Sequence, residues 1–288
     1  MIPAPFDYAA PATLDEALSL LASRSDDAKI LAGGHSLLPA MKLRLAQPAL
    51  LVDIGRIKDL AYVREDGGQI RIGARTTHYE IESSDLLKKV CPLLPECAGT
   101  IGDVQVRNCG TIGGSLAHAD PAGDFPAAVL ALDAELVAVS KRGERTIKVS
   151  DFFVDMLTTA LAPDEILREI RVAAAPARTG QAYRKVHQPA SGFAVVGVAV
   201  SLTLGAAGAC DSAAVALTGV AAKPYRARGV EQLLVGKTLD AQAIADAAAH
   251  ADEGVDANSD LYASAEYRRH LARVHTRRAI AAALSRAA

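Results

Sequence analysis

Apolar residues recur at two periods along this chain, and each switch from one to the other marks an element. Leu14, Ala17, Leu18 and Leu21 lie at helical spacing behind Thr13, with Glu16 three residues after it. That is the pattern of a capped helix start. AKILAGG (28–34) reads as a short apolar strand closed by glycines. LLPAMKLRLAQPALLVDIG (37–55) reads as a brief helical turn, a break at Pro48 and a buried strand ending at Gly55. Together these predict a compact β-α-β-like lobe of about 55 residues.

Strand patterns dominate the next stretch. LAYVRED (60–66), GGQIRIGART (67–76), AELVAVSK (134–141) and RTIKVSDFF (145–153) alternate or run apolar between turn signals. The turn at Asp66-Gly67-Gly68 predicts a hairpin. Between these strands, 81–102 reads as helical, and so does PAGDFPAAVLALDA (121–134), where Pro121 and Pro126 bracket a helix start. AAAPARTGQ (173–181) is the best candidate linker. After it, FAVVGVAVSLTLG (193–205) predicts a long buried strand and 211–228 its hairpin partner. VEQLLVG (230–236), AQAIADAAAHA (241–251) and the segment 265–287 predict helices, so the last third is α+β in character.

Composition narrows the class. Half of the 288 residues are hydrophobic and 22% are charged, enough for a packed core and against disorder. A net charge of −2 argues against a general nucleic-acid binder. No apolar run reaches the roughly 20 residues that span a bilayer, and the first residues lack the basic start and apolar stretch of a secretory signal. Cys91, Cys97, Cys109 and Cys210 form no CxxC pair. A cytoplasmic protein with free thiols is the expectation.

Two stretches have no bulk to build a core. Gly33-Gly34-His35-Ser36 follows an apolar strand, and Gly113-Gly114-Ser115 follows QVRNCGTI. Glycine lets the main chain approach a ligand closely, and successive free N–H groups form an anion-binding concavity. The chain contains neither GxGxxG after a strand nor GxxxxGK[ST]. A lone Gly-Gly pair is most simply a tight turn; two such loops, each placed between a strand and a helix, suggest one shared ligand with a diphosphate. His118, Asp120 and Asp124 imitate a metal cluster, but no second His or Cys set accompanies them and the expectation is no metal. Asp120-Pro121 reads instead as a helix-start cap. Arg268, Arg269, Arg273, Arg277 and Arg278 share a helix with Leu271, Val274 and Ile280, which gives either a solvated face or a partner-docking face.

AGGHSLLPAMKLRLAQP (32–48), QVRNCGTIGGSLAHADPAGDFPAA (105–128), DEILREI (164–170) and YRKVHQPASGFAVVGVAVSL (183–202) resemble the flavoprotein, or medium, subunit of molybdenum hydroxylases. Aerobic carbon monoxide dehydrogenase and xanthine dehydrogenase belong to that group. The resemblance covers nearly the whole chain. It implies an α+β fold: a two-lobed FAD-binding domain of the vanillyl-alcohol-oxidase/p-cresol-methylhydroxylase type, then an α+β C-terminal domain of the carbon monoxide dehydrogenase flavoprotein type. The expected division is 1–176, with lobes of about 1–57 and 58–176, followed by 177–288.

The resemblance also implies a site. Ala32, Gly33, Gly34, His35, Ser36 and Leu37 would wrap the FAD pyrophosphate, and Thr111, Gly113, Gly114 and Ser115 would meet it from the other lobe. Asp124 matches the family's aspartate near the ribityl and adenosine portion, and a carboxylate accepts hydroxyl hydrogen bonds well. Ile101 and Leu167 match residues that sandwich the flavin ring; Tyr183 and Lys185 match an aromatic-x-Lys element at its edge. No side chain of this chain is expected to be catalytic, since FAD supplies the redox chemistry. After Lys185 many relatives carry an arginine and a DF or DW pair, where this chain has Gln188-Pro189-Ala190-Ser191-Gly192-Phe193.

The implied activity is electron transfer. A large partner subunit would hold the molybdenum cofactor and a small one two [2Fe–2S] clusters, whose ligand pattern the four cysteines here do not supply. A quinone, NAD or oxygen would be the external acceptor, and the assembly a dimer of heterotrimers. Two alternatives stand beside this one. A stand-alone flavin oxidoreductase of the same fold would need its own base, for which His118 and His187 are available. A non-catalytic nucleotide-binding module would hold its ligand without turning it over.

Overall fold

Thr13 and Glu16 do form a reciprocal capping box at the first helix, Leu14–Ser23, whose Ala17, Leu18 and Leu21 are buried. A computed structural model describes residues 1–287. The first helix covers a small parallel sheet ordered Asp7–Ala9, Leu50–Asp53, Ala28–Leu31. The parallel pairing fits the predicted β-α-β pattern; the edge strand Asp7–Ala9 is an addition to it. Its own apolar cluster centres on Leu18, Leu21, Val52 and Leu60.

The second sheet is antiparallel throughout, in the order Val63–Asp66, Gln69–Gly73, Ile166–Ala173, Glu135–Ser140, Gly143–Lys148. Gly67 and Gly68 both sit at positive φ, as the predicted two-residue hairpin turn demands. Its central strand, Ile166–Ala173, was not among the alternating patterns, because Arg168, Glu169 and Arg171 interrupt the apolar run. Those charges are matched laterally: Tyr62 donates to Glu169 over 2.5 Å, Arg171 also binds Glu169, and Arg168 binds Glu144 at 2.7 Å. The stretch predicted as helical over 81–102 is broken into His78–Ser83, Asp85–Val90 and Leu93–Ala98. Ser84 caps the second piece through Leu87 N–H, and Pro92 starts the third.

The third sheet is ordered Thr179–His187, Ala194–Leu204, Cys210–Thr218, Tyr225–Arg226. Strand Thr179–His187 absorbs the end of the expected linker. One face is covered by helices Arg228–Leu234, Ala241–Ala248 and Ala265–Leu284. The other face meets helix Phe125–Ala131, all seven residues of which are buried. The core of the second lobe therefore runs on into Tyr183, Ala199 and Ala216 of the third sheet. No helix among the described residues is long and apolar enough to cross a membrane.

Arg273, Arg277 and Arg278 do lie on an exposed face of the arginine-rich helix, as its sequence suggests, but Arg268 does not. Arg268 is 5% exposed and donates to the Val195 and Gly219 carbonyls, each at 2.7 Å. Arg273 holds Asp252 with two nitrogens, and Arg269 reaches Val255 O. Beyond the helix, Arg286 binds Gln181 O at 2.6 Å and Glu96 at 2.5 Å, and Glu96 also receives Arg184. Gly180 makes this packing possible, since a Cβ there would overlap the Ala283 carbonyl of the helix. Gly180→Ala should therefore cost about 1–3 kcal/mol by overpacking. Denaturant titration of the variant against the parent checks this, and an unchanged midpoint would show that the helix is free to shift.

Candidate cofactor site

The two glycine loops, one after strand Ala28–Leu31 and the other between helices Val104–Cys109 and Ile112–His118, touch. A Cβ on Gly33 would overlap the Cys109 carbonyl oxygen and lie 2.8 Å from Gly110 Cα. The contact exists only because both chains are bare at that point. Gly34 follows at φ 74°, a conformation that a side chain would strain. None of the N–H groups of Ala32, Gly33, Gly34, His35, Ser36 and Leu37 has an acceptor among the described residues. Six neighbouring donors without partners are a fit for an oxyanion-rich group such as a diphosphate. His35 is exposed beside them.

The second loop differs from expectation. It is entered from a helix, Val104–Cys109, capped by Asp103, rather than from a strand. Its N–H groups from Ile112 to Ser115 are already used. Ile112 donates to Thr76 O, Gly113 to Ala74 O, Gly114 to the Thr111 hydroxyl and Ser115 to Thr111 O. Gly113 is bare because the helix Ile112–His118 presses on Ala74: a Cβ would come 2.6 Å from the Ala74 carbonyl. This loop thus offers the first one a smooth main-chain wall and the half-buried Ser115 hydroxyl, while the donors come from Ala32–Leu37.

His78 lies under this junction and was not singled out from the sequence. Its backbone N–H donates to Gly110 O, and its ring packs 5.3 Å from the Phe125 ring. Burial, with His35 and Arg107 adding to it, lowers its pKa to about 4, so the ring is neutral. Thr77, which caps its helix together with Glu80, bridges to Thr111.

Asp124 precedes helix Phe125–Ala131 but does not cap it. Its carboxylate turns inward instead. Lys185 Nζ donates to one oxygen at 2.8 Å and Tyr183 OH to the other at 2.6 Å. Lys185 also donates to Thr100 O at 3.0 Å, which ties it to the turn carrying Ile101. The side chains of Lys185 and Asp124 are 3% and 5% exposed, so Lys185 is no surface lysine. Burial raises the Asp124 pKa, against the pull of Lys185 and Tyr183; burial also pushes the Tyr183 phenol well above its ordinary value. Leu167 and Tyr183 belong to one apolar cluster, and half-buried Ile101 packs against it. The segment after Lys185 leans on the same turn, with Gly192 against Gly102.

Asp120 accepts from Ala122 N–H and so closes a turn rather than capping a helix. His118 stands 3.9 Å from Asp120, while Asp124 faces away to Lys185, so the metal-like trio does not converge. Among the described residues no three histidine, cysteine or acidic side chains gather as a metal site. His187, the other histidine available as a base, is exposed at the end of its strand.

Breaking a buried ion pair by deleting one partner costs about 3–5 kcal/mol. Lys185→Met should show a loss of that size in mildly alkaline buffer and should raise the Asp124 pKa further. A carboxyl whose folded pKa lies above its unfolded value of 3.8 takes up a proton in the native state as pH falls. The deficit should then shrink as pH drops through the raised Asp124 value. Urea titrations of both proteins across pH test this; a deficit independent of pH would refute it.

Comparison with known proteins gives this geometry its context. The family described as the FAD binding domain in molybdopterin dehydrogenase matches residues 4–174, and that described as the CO dehydrogenase flavoprotein C-terminal domain matches 181–283. The carbon monoxide dehydrogenase medium chain of Hydrogenophaga pseudoflava is 41% identical over 288 residues, covering 100% of both chains. The alpha subunit of the 6-hydroxypseudooxynicotine dehydrogenase complex of Paenarthrobacter nicotinovorans is 39% identical, covering 100% of this chain and 97% of its own. A solved structure of the Hydrogenophaga pseudoflava carbon monoxide dehydrogenase, lacking the Mo-pyranopterin moiety, superposes with a TM-score of 0.97 at 42% identity over the whole of both chains. With both of its parts matched end to end, this chain belongs to the FAD-binding medium subunits of the molybdenum hydroxylase family.

Proposed function

We propose that this chain is the electron-transfer subunit of a cytoplasmic molybdenum-containing hydroxylase, built with a small [2Fe–2S] subunit and a large molybdenum subunit as a dimer of heterotrimers. FAD, when bound, would supply the redox chemistry, the conversion between single electrons from the partner's clusters and electron pairs for a quinone, NAD or oxygen. The division of labour runs 1–176 for the FAD-binding domain, in lobes 1–57 and 58–176, and 177–288 for the C-terminal domain. The observation that carries this reading is the run of six unpaired N–H groups, Ala32 to Leu37, against the bare wall at Cys109 and Gly110.

In this reading the donors of Ala32–Leu37 hold the pyrophosphate, with His35 beside it. Thr111, Gly113, Gly114 and Ser115 close the cradle from the second lobe. Ile101 and Leu167 enclose the flavin ring and exclude water from it. Asp124 receives sugar-chain hydroxyls on the lone pairs that Tyr183 and Lys185 leave free. Lys185, with its charge fixed by Asp124, brings a positive potential to the ring edge and favours negative charge there. The segment Gln188–Phe193 would shape access for the acceptor; the approach of Gly192 to Gly102 supports this.

The reading is tested by isolating the chain with whatever co-purifies and measuring flavin absorption, iron and molybdenum. All three are expected together; a colourless complex without bound FAD would end the case. Gly33→Ala is expected to push the Cys109 carbonyl away and raise the FAD Kd about tenfold or more. Equilibrium titration of the stripped complex with FAD reads that change.

A further inference from the structure

The turn that delivers Asp124 is gripped from the third sheet. Strand pairing there sets Lys185 opposite Gly197 and Gly197 opposite Thr218, so the three residues lie abreast across neighbouring strands. Lys185 takes the Asp124 carboxylate. Thr218, 1% exposed, places Oγ1 2.8 Å from both the Pro121 and the Gly123 carbonyl oxygens. Gly219 N–H adds a second donor to Pro121 O at 2.7 Å, and Ala194 N–H serves Ala122 O at 3.1 Å. Among the described residues, Gly123 O has no donor but Thr218. Gly197, between the two side chains, must be bare. A Cβ there would overlap the Tyr183 hydroxyl and come 2.8 Å from Thr218 Cγ2.

We infer that Thr218 is a positioning residue for the flavin site: from the third sheet it fixes the 120–124 turn, and hence the aim of Asp124 and Lys185, with Gly197 as the gap that lets Tyr183 and Thr218 reach that turn together. The inference rests on the FAD reading proposed above. A hydroxyl has one proton, so Thr218 shares it between two carbonyls, of which Pro121 O has a second donor in Gly219 N–H and Gly123 O has none among the described residues. Replacing Thr218 with valine keeps the shape and removes the donor. Gly123 O must then turn to find another, which rotates the peptide next to Asp124. Serine keeps the donor and loses only a methyl group.

The test uses the complex as purified, with wild-type chain, Thr218→Val and Thr218→Ser. Bound FAD per chain, the Kd for FAD after stripping and reloading, and the midpoint potential of the bound flavin are measured. Thr218→Val is expected to raise Kd about tenfold and to displace the potential, and Thr218→Ser to restore both. A role in stability alone would leave the potential of the bound flavin unmoved. Should Thr218→Val give no folded complex, Thr218→Ala is read in the same way. Wild-type affinity and potential in the variant lacking the hydroxyl, beside a wild-type complex that carries FAD, would overturn the inference alone. A wild-type complex that takes up no FAD would overturn the reading beneath it as well.

Discussion

Asp124 and Lys185 share a place from which water is excluded, and they reach it on different sheets' worth of chain. Neither charge is tolerable there without the other, because taking an ion out of water costs several kcal/mol that only a close partner offsets. Such a pair adds little net stability over an apolar contact of the same size. What it does impose is registration. The second lobe and the third sheet cannot slide past each other without stranding a charge, and Tyr183 and Thr100 allow only one arrangement of the pair. Helix Phe125–Ala131 depends on this, buried all round between the two.

The glycine loops show how one residue type serves two ends. In Ala32–Leu37 the main chain is left with its donors free. In Thr111–Ser115 the same bareness is spent on fit, with the donors committed to Ala74, Thr76 and Thr111 and the missing side chain admitting Ala74. One loop therefore brings free donors to their junction and the other a close-packed surface. Their contact at Gly33 and Cys109 sets the distance between lobes without any side chain that could choose another rotamer.

Much of this was legible in the sequence, and the failures have physical causes. Local rules succeeded where the determinant was local: the Thr13–Glu16 capping box, the Gly67-Gly68 hairpin, the apolar strand Ala194–Leu204. They missed Ile166–Ala173, because its charged positions are satisfied by Arg171 within the strand and by Glu144 and Tyr62 far from it along the chain, and alternation cannot see such pairings. Arg268 looked solvated for the same reason; the carbonyls that hold it are 49 and 73 residues away. The glycine loops stood out by their own bareness and the roles of Asp124 and Lys185 came from resemblance, yet the pairing of those two side chains with each other came from neither. Thr218 and His78 carry no signal in their neighbourhoods at all. The bond from Thr218 to Gly123 spans 95 residues, and only the folded sheet brings the two together.

The ties made by Arg286 bear on how the protein is handled. Glu96 sits on helix Leu93–Ala98, just ahead of the Thr100 carbonyl that receives Lys185, and it is held by Arg184 on one side and Arg286 on the other. Shortening the chain ahead of Arg286, or crowding it with a fused tag, withdraws one of two guanidinium groups from that carboxylate. It also frees the Gln181 carbonyl at the start of the strand carrying Tyr183. A change at Arg286, far from Glu96 along the sequence, is thus mechanically close to the turn that receives Lys185.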